Sequence, residues 1–102
     1  MSLSIERVGE GVPLVLFHGW GFDSHVWHTI LEEITPFFEV FLVDLPGFGQ
    51  TSQLTWHDFK NSLVARLPSQ FVVAGWSLGG LYATRLAIEL PGRVTRLLNI
   101  AS

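Results

Sequence analysis

The chain has 102 residues, 48% of them apolar and 15% charged, with a formal charge of −3 and no cysteine. That is the composition of one compact domain rather than a disordered tail, and the lack of any Lys/Arg cluster argues against nucleic acid or an anionic membrane surface as partner. Without cysteine there are no disulfides, thiolate metal sites or cysteine nucleophiles. The longest apolar run, around Val12 to Phe17, is too short to span a bilayer, and no basic segment followed by an apolar one opens the chain, so a soluble, cytoplasmic protein is expected.

Ser4 to Val8 alternates weakly and suits an edge strand, after which Gly9-Glu10-Gly11 turns into Pro13 to Phe17, a run apolar enough for a buried strand. Asp23 or Ser24 can cap a helix in which Val26, Trp27, Ile30, Leu31 and Ile34 recur at helical spacing until Pro36. Phe38 to Val43 is a second buried strand, closed by the loop Asp44-Leu45-Pro46-Gly47-Phe48-Gly49. Thr55 reads as a helix cap with Asp58 three residues on, and Trp56, Phe59, Leu63 and Leu67 share one face before Pro68 stops the helix. Phe71 to Ala74 is a third short strand, Leu78 to Leu90 a helix ended by Pro91-Gly92, and Val94 to Ala101 a last strand.

This alternation predicts an α/β fold in three layers: a mainly parallel sheet with helices on both faces and right-handed crossovers. The four Trp and eight Phe supply a core for it. Ligands of such sheets bind beyond the carboxyl ends of the strands, which directs attention to the loops at Gly19, Gly47 and Gly75.

Gly75-Trp76-Ser77-Leu78-Gly79 fits the G-x-S-x-G elbow and lies between a predicted strand and a predicted helix, the context that motif needs. The turn is tight, so the residues two before and two after the serine must be small while Ser77 projects its hydroxyl as a nucleophile. Acyl transfer also needs two N–H donors aimed at the tetrahedral oxygen. Leu78, directly after the nucleophile, offers one, and Trp20 in the His18-Gly19-Trp20-Gly21 loop is the candidate for the other.

In order and separation, these two motifs and the Asp44 to Gly49 loop resemble the N-terminal part of an α/β-hydrolase. Within that superfamily the chain is most similar to the carboxylesterases of biotin synthesis that act on pimeloyl-acyl-carrier-protein methyl ester, which carry H-G-W-G, D-L-P-G-x-G and G-W-S-L-G-G. The resemblance runs through the whole chain, to Pro91-Gly92-Arg93-Val94. It implies Ser77 as nucleophile, Trp20 and Leu78 as oxyanion donors, and these three as substrate contacts. The Trp20 side chain would form part of an acyl pocket, and the Asp44 loop would shape the strand end without taking part in catalysis. It also implies an acyl ester substrate, carried on acyl carrier protein, and no metal or organic cofactor.

In that superfamily an acid and then a histidine follow the serine. After Ser77 this sequence holds no His and no Asp, and Glu89 is its one carboxylate side chain there. The expectation is therefore the N-terminal part of a hydrolase core, residues 1–102, separated from its cap and its acid and base by gene truncation, proteolysis or design. The four histidines, His18, His25, His28 and His57, read better as loop or surface residues than as a substitute base. His25 and His28 lack a third ligand for a metal, and Asp23 and Asp58 read as helix-start residues. Trp20, Phe22, Phe48 and Trp76 are open to two readings, pocket wall or core, with Trp20 placed in the pocket by resemblance and Trp76 beneath the elbow. A last reading is non-catalytic: the final strand pairs with a complementary fragment or a second copy.

Overall fold

The structure, a computed structural model, describes residues 2–100. Its five strands are β1 (Ile5–Val8), β2 (Val12–Phe17), β3 (Phe38–Val43), β4 (Phe71–Trp76) and β5 (Val94–Ile100). They form one sheet in the order β1-β3-β2-β4-β5. Ala101, expected in the last strand, lies outside the described residues. Every pairing is parallel except that of β1, which runs antiparallel along β3 at one edge.

Although only Gly9-Glu10-Gly11 separates β1 from β2, the two do not form a hairpin. The turn uses positive φ at Gly9 (92°) and Gly11 (126°), and its backbone is held by Glu10 N–H donating to Thr35 O at 3.2 Å and Val12 N–H to Phe37 O at 3.1 Å. Those bonds dock the turn on the chain entering β3, so β3 lies between β1 and β2.

Side chains alternate across the sheet as a two-residue repeat requires. Val15, Phe17, Phe41, Val43, Phe71 and Val73 face one core with Phe59, Leu63, Ala83 and Leu86, from helices α2 (Trp56–Arg66) and α3 (Leu78–Glu89). Leu14, Leu16, Val40, Leu42 and Ala74 face the other, under Trp27. The three-layer arrangement expected from the sequence is present.

The cover on that second face is not one helix. Ser24–Thr29 is 3-10, capped by Asp23, and a single α turn, Leu31–Ile34 (α1), follows. Val26, Thr29 and Ile30 are β-branched and disfavour a continuous α-helix, and Ile30 breaks the run at φ −114°, ψ −2°. The apolar spacing was visible, but the tighter winding was not.

At its far end α3 is anchored by Glu89. One carboxylate oxygen accepts from Lys60 Nζ at 2.8 Å and Trp56 Nε1 at 3.0 Å, the other from Arg85 Nε at 3.0 Å. Arg85 also lies over the Trp56 ring, 4.5 Å from its centroid. The Lys60 bond first, then those from Trp56 and Arg85, hold the carboxyl at about 2 against an ordinary 4.5. A depressed folded-state value adds stability above the unfolded value and loses it as the group protonates in the native state. The urea midpoint is therefore expected to fall as pH drops from about 4.5 towards 2, and Glu89→Gln to flatten that part of the curve. An unchanged slope in the variant would show that Glu89 is not held this way.

Candidate active site

The carboxyl ends of β2, β3 and β4 meet at one corner of the sheet. Ser77 follows β4 and is the N-cap of α3, with φ 57° and ψ −118°. It is the one non-glycine residue at positive φ among the described residues, a conformation costing about 1–3 kcal/mol and kept where the surroundings impose it. The surroundings here are glycines. A Cβ on Gly75 would overlap the Gly79 carbonyl, and one on Gly79 would overlap the Phe17 carbonyl and stand 2.5 Å from that of His18. Gly80 differs, because its nearest obstacle is the Asn99 side-chain oxygen at 2.6 Å.

Ser77 itself is exposed, and its N–H donates to Ile100 O at 3.2 Å, tying the elbow to β5. Leu78 opens α3, so its N–H has no carbonyl within the helix to bond. The Trp20 N–H likewise has no hydrogen-bond partner among the described residues. Both residues line one cleft of about 400 Å3, with Phe48 and Tyr82 among its walls. Ser77 lies on the neighbouring groove of about 240 Å3, with Leu81, Thr84 and Asn99. The helix N-terminus adds a partial positive charge at this corner, favouring a developing anion by roughly 0.3–1 kcal/mol.

The loop after β2 is built against the elbow. A Cβ on Gly19 would lie 2.8 Å from the Trp76 ring, so glycine lets the loop rest on the residue before Ser77. Trp76 is half-buried on the Trp27 side of the sheet and packs on Phe22 at 5.0 Å between centroids, a support for the loop rather than a layer wholly beneath the elbow. Trp20 is 72% exposed, its ring held edge-on to Phe48 at 5.2 Å. Phe48 meets His18 as well, at 5.5 Å. Burial pushes the Tyr82 hydroxyl above its ordinary 10, with the Arg85 charge opposing, so the cleft wall there is a neutral phenol.

His18 lies in the loop after β2, as expected, but is fully buried there rather than at the surface. Its Nε2 accepts from Leu45 N–H at 2.9 Å, and its Nδ1 lies 2.8 Å from Gly19 O. With both nitrogens engaged on backbone, it is not free to act as a base. A single polar residue ending an apolar strand was the sequence signal for this role. Asp44, also buried, accepts from Ser24 N–H at 2.8 Å and Gln50 N–H at 2.9 Å, joining the two loops.

The remaining histidines point elsewhere. His25 Nδ1 pairs with Asp23 at 3.1 Å, and His28 Nε2 lies 3.5 Å from Glu6 on β1. β1 is three strands from β4, about 14 Å at normal strand spacing. His57 bonds Asn61 at 3.0 Å on the exposed side of α2. The His25 and His28 rings are 4.8 Å apart, and no group of three potential metal ligands forms among the described residues. Glu89 is the last residue of the 12-residue α3, about 18 Å along the helix from its start, and is committed to Lys60, Trp56 and Arg85. Asp23 and Thr55 do cap their helices, the first accepting from His25 N–H and the second from Asp58 N–H.

Comparison with known proteins gives a consistent picture. A sequence model described as the alpha/beta hydrolase family matches residues 14–101. The pimeloyl-[acyl-carrier protein] methyl ester esterase of Legionella pneumophila (strain Corby) is 55% identical over 102 residues, all of this chain and 43% of that protein. The enzyme of the same name from Aeromonas hydrophila is 44% identical over 109 residues, all of this chain and 42% of that protein. The crystal structure of a hydrolase from Pseudomonas aeruginosa PA01 superposes with a TM-score of 0.83 at 27% identity, covering 93% of this chain and 40% of that one. The chain thus spans about two fifths of the length of the curated relatives it matches.

The glycine contacts separate two substitutions that look alike. Gly79→Ala must push two backbone carbonyls aside and is expected to cost about 1–3 kcal/mol or more. Gly80→Ala only displaces the end of Asn99, and the better helix propensity of alanine offsets part of that, so a change under about 1 kcal/mol is expected. Urea unfolding of the two variants checks the order, and equal losses would contradict the packing.

Proposed function

This chain belongs to the alpha/beta hydrolase family, and on that footing we propose that it is the nucleophile-bearing part of a serine carboxylesterase acting on an acyl methyl ester. The ester we infer is pimeloyl-[acyl-carrier protein] methyl ester of biotin synthesis, because that substrate is in the name of relatives 55% and 44% identical over this whole chain. The observation carrying the reading is Ser77, held at φ 57° at the head of α3.

Ser77 Oγ attacks the ester carbonyl carbon, a base takes its proton, and the carbonyl electrons move onto oxygen. That oxyanion lies between the N–H groups of Trp20 and Leu78, each such donor being worth roughly 2.7–4 kcal/mol in the transition state. The carbonyl re-forms as methanol leaves with the proton, and water then releases the acyl group from Ser77 by the same route. The base and the acid that orients it come from outside these 102 residues, since His18, His25, His28 and His57 are engaged elsewhere. The Trp20 and Phe48 rings and Leu78 take the acyl chain in their cleft. Acyl carrier protein delivers it.

A fluorophosphonate probe is expected to form a slow adduct at Ser77, seen by mass spectrometry and lost in Ser77→Ala. Adding the C-terminal remainder of the Legionella esterase is expected to speed it about 10²–10⁴-fold by supplying the base. An adduct that persists in Ser77→Ala would sink the reading.

A second reading has its own observation. Among the described residues β5 pairs with β4 alone, and Leu98 and Ile100 on it, in register with Ala74 and Trp76 on the face away from α3, are 53% and 45% exposed. An unpaired edge with apolar neighbours invites another chain. Self-association through β5 is expected to appear in sedimentation as a concentration-dependent dimer that Leu98→Lys abolishes; a monomer at high concentration would exclude it.

A further inference from the structure

We propose that His18 is a positioning residue for the oxyanion hole, setting the direction of the Trp20 N–H by holding the carbonyl of the same peptide unit. The proposal takes its catalytic meaning from the serine-esterase reading, while its geometry stands apart from it.

A backbone N–H that donates to Nε2 requires that nitrogen to be unprotonated, and Leu45 N–H does so at 2.9 Å. The ring proton is therefore on Nδ1, where it donates to Gly19 O at 2.8 Å. One tautomer satisfies both contacts. Gly19 O also closes the turn over Gly19 to Phe22, accepting from Phe22 N–H at 3.2 Å, with Gly21 at φ 80° allowing the bend.

Gly19 O and Trp20 N–H are opposite ends of one peptide plane. The described chain has no cis peptide bond, so carbonyl and N–H point in opposite directions. With the oxygen turned inward to the buried ring, the N–H is turned outward, and it has no hydrogen-bond partner among the described residues. Trp20 and Leu78 line one cleft, and the outward N–H is assigned to it. A flipped peptide would place a carbonyl there and repel the oxyanion. His18 prevents the flip, and the Leu45 bond holds the ring still. Leu45 belongs to the next loop, whose Asp44 is itself fixed by accepting from Ser24 and Gln50 N–H.

The test uses the full 102-residue chain and two readouts. Long-range proton–nitrogen NMR is expected to show His18 protonated at Nδ1 and not at Nε2, with the Trp20 amide exchanging faster than the buried amides of β2. His18→Leu is expected to move the Trp20 amide resonance, and His18→Asn, whose amide N–H replaces Nδ1–H at Gly19 O, to restore it. Ser77 phosphonylation is expected to slow about 10²–10³-fold in His18→Leu, the usual cost of one lost donor, with most of the rate regained in His18→Asn. An Nε2–H tautomer, a protected Trp20 amide, or a folded His18→Leu with an unmoved Trp20 resonance overturns the proposal. If neither the wild-type chain nor the chain supplied with the C-terminal remainder gives a Ser77 adduct, the esterase reading fails and the NMR result still decides the positioning. If His18→Leu does not fold, the wild-type tautomer and His18→Asn decide it.

Discussion

Where α3 meets the end of β2, hydrogen alone separates two backbones. Gly79 sits against the carbonyls of Phe17 and His18, and Gly75 against the carbonyl of Gly79. Any larger residue would drive the helix off the strand. The approach puts the first turn of α3 beside the loop that leaves β2, so Leu78 and Trp20 come to wall the same cleft. It also leaves the chain no relaxed path between β4 and α3, and Ser77 takes up the strain at φ 57°. The strain at Ser77, its exposure and the nearness of Leu78 to the Trp20 loop thus share one steric origin.

The two ends of α3 are held by different means. At its start there is close packing and almost no side chain. At its end Glu89 gathers an ammonium, a guanidinium and an indole N–H. A carboxylate at a helix C-terminus opposes the helix dipole, and the two cations more than offset that, as the lowered titration of Glu89 records. Through Lys60 and Trp56 the Glu89 cluster ties the end of α3 to α2.

Most of this was legible in the sequence because it depends on local rules. Alternating apolar residues marked the strands, Thr55 and Asp23 marked caps, and the glycines around Ser77 demanded an elbow. What escaped depended on contacts distant in sequence. The pairing of β1 with β3 rather than β2 follows from bonds to Thr35 and Phe37, which no pattern within residues 5–12 records. The 3-10 winding of Ser24–Thr29 keeps the same apolar face as an α-helix and so leaves no trace in spacing. The burial of His18 depends on Leu45, 27 residues away. Ser77 as nucleophile and the Trp20 and Leu78 N–H groups as its donors are readings from motif and geometry that probe labelling addresses.

Trp20 divides its atoms between two tasks. Its main-chain N–H is fixed from below, through Gly19 O and a buried ring, while its indole stands 72% exposed and touches Phe48. Replacing the indole changes the shape of the cleft without altering the peptide plane. In the proposed esterase, acyl preference at this corner is accordingly open to change over evolutionary time, or under directed selection, while the direction of the peptide N–H is held. The side chain is the adjustable part of the site, and the peptide beneath it is the inherited one.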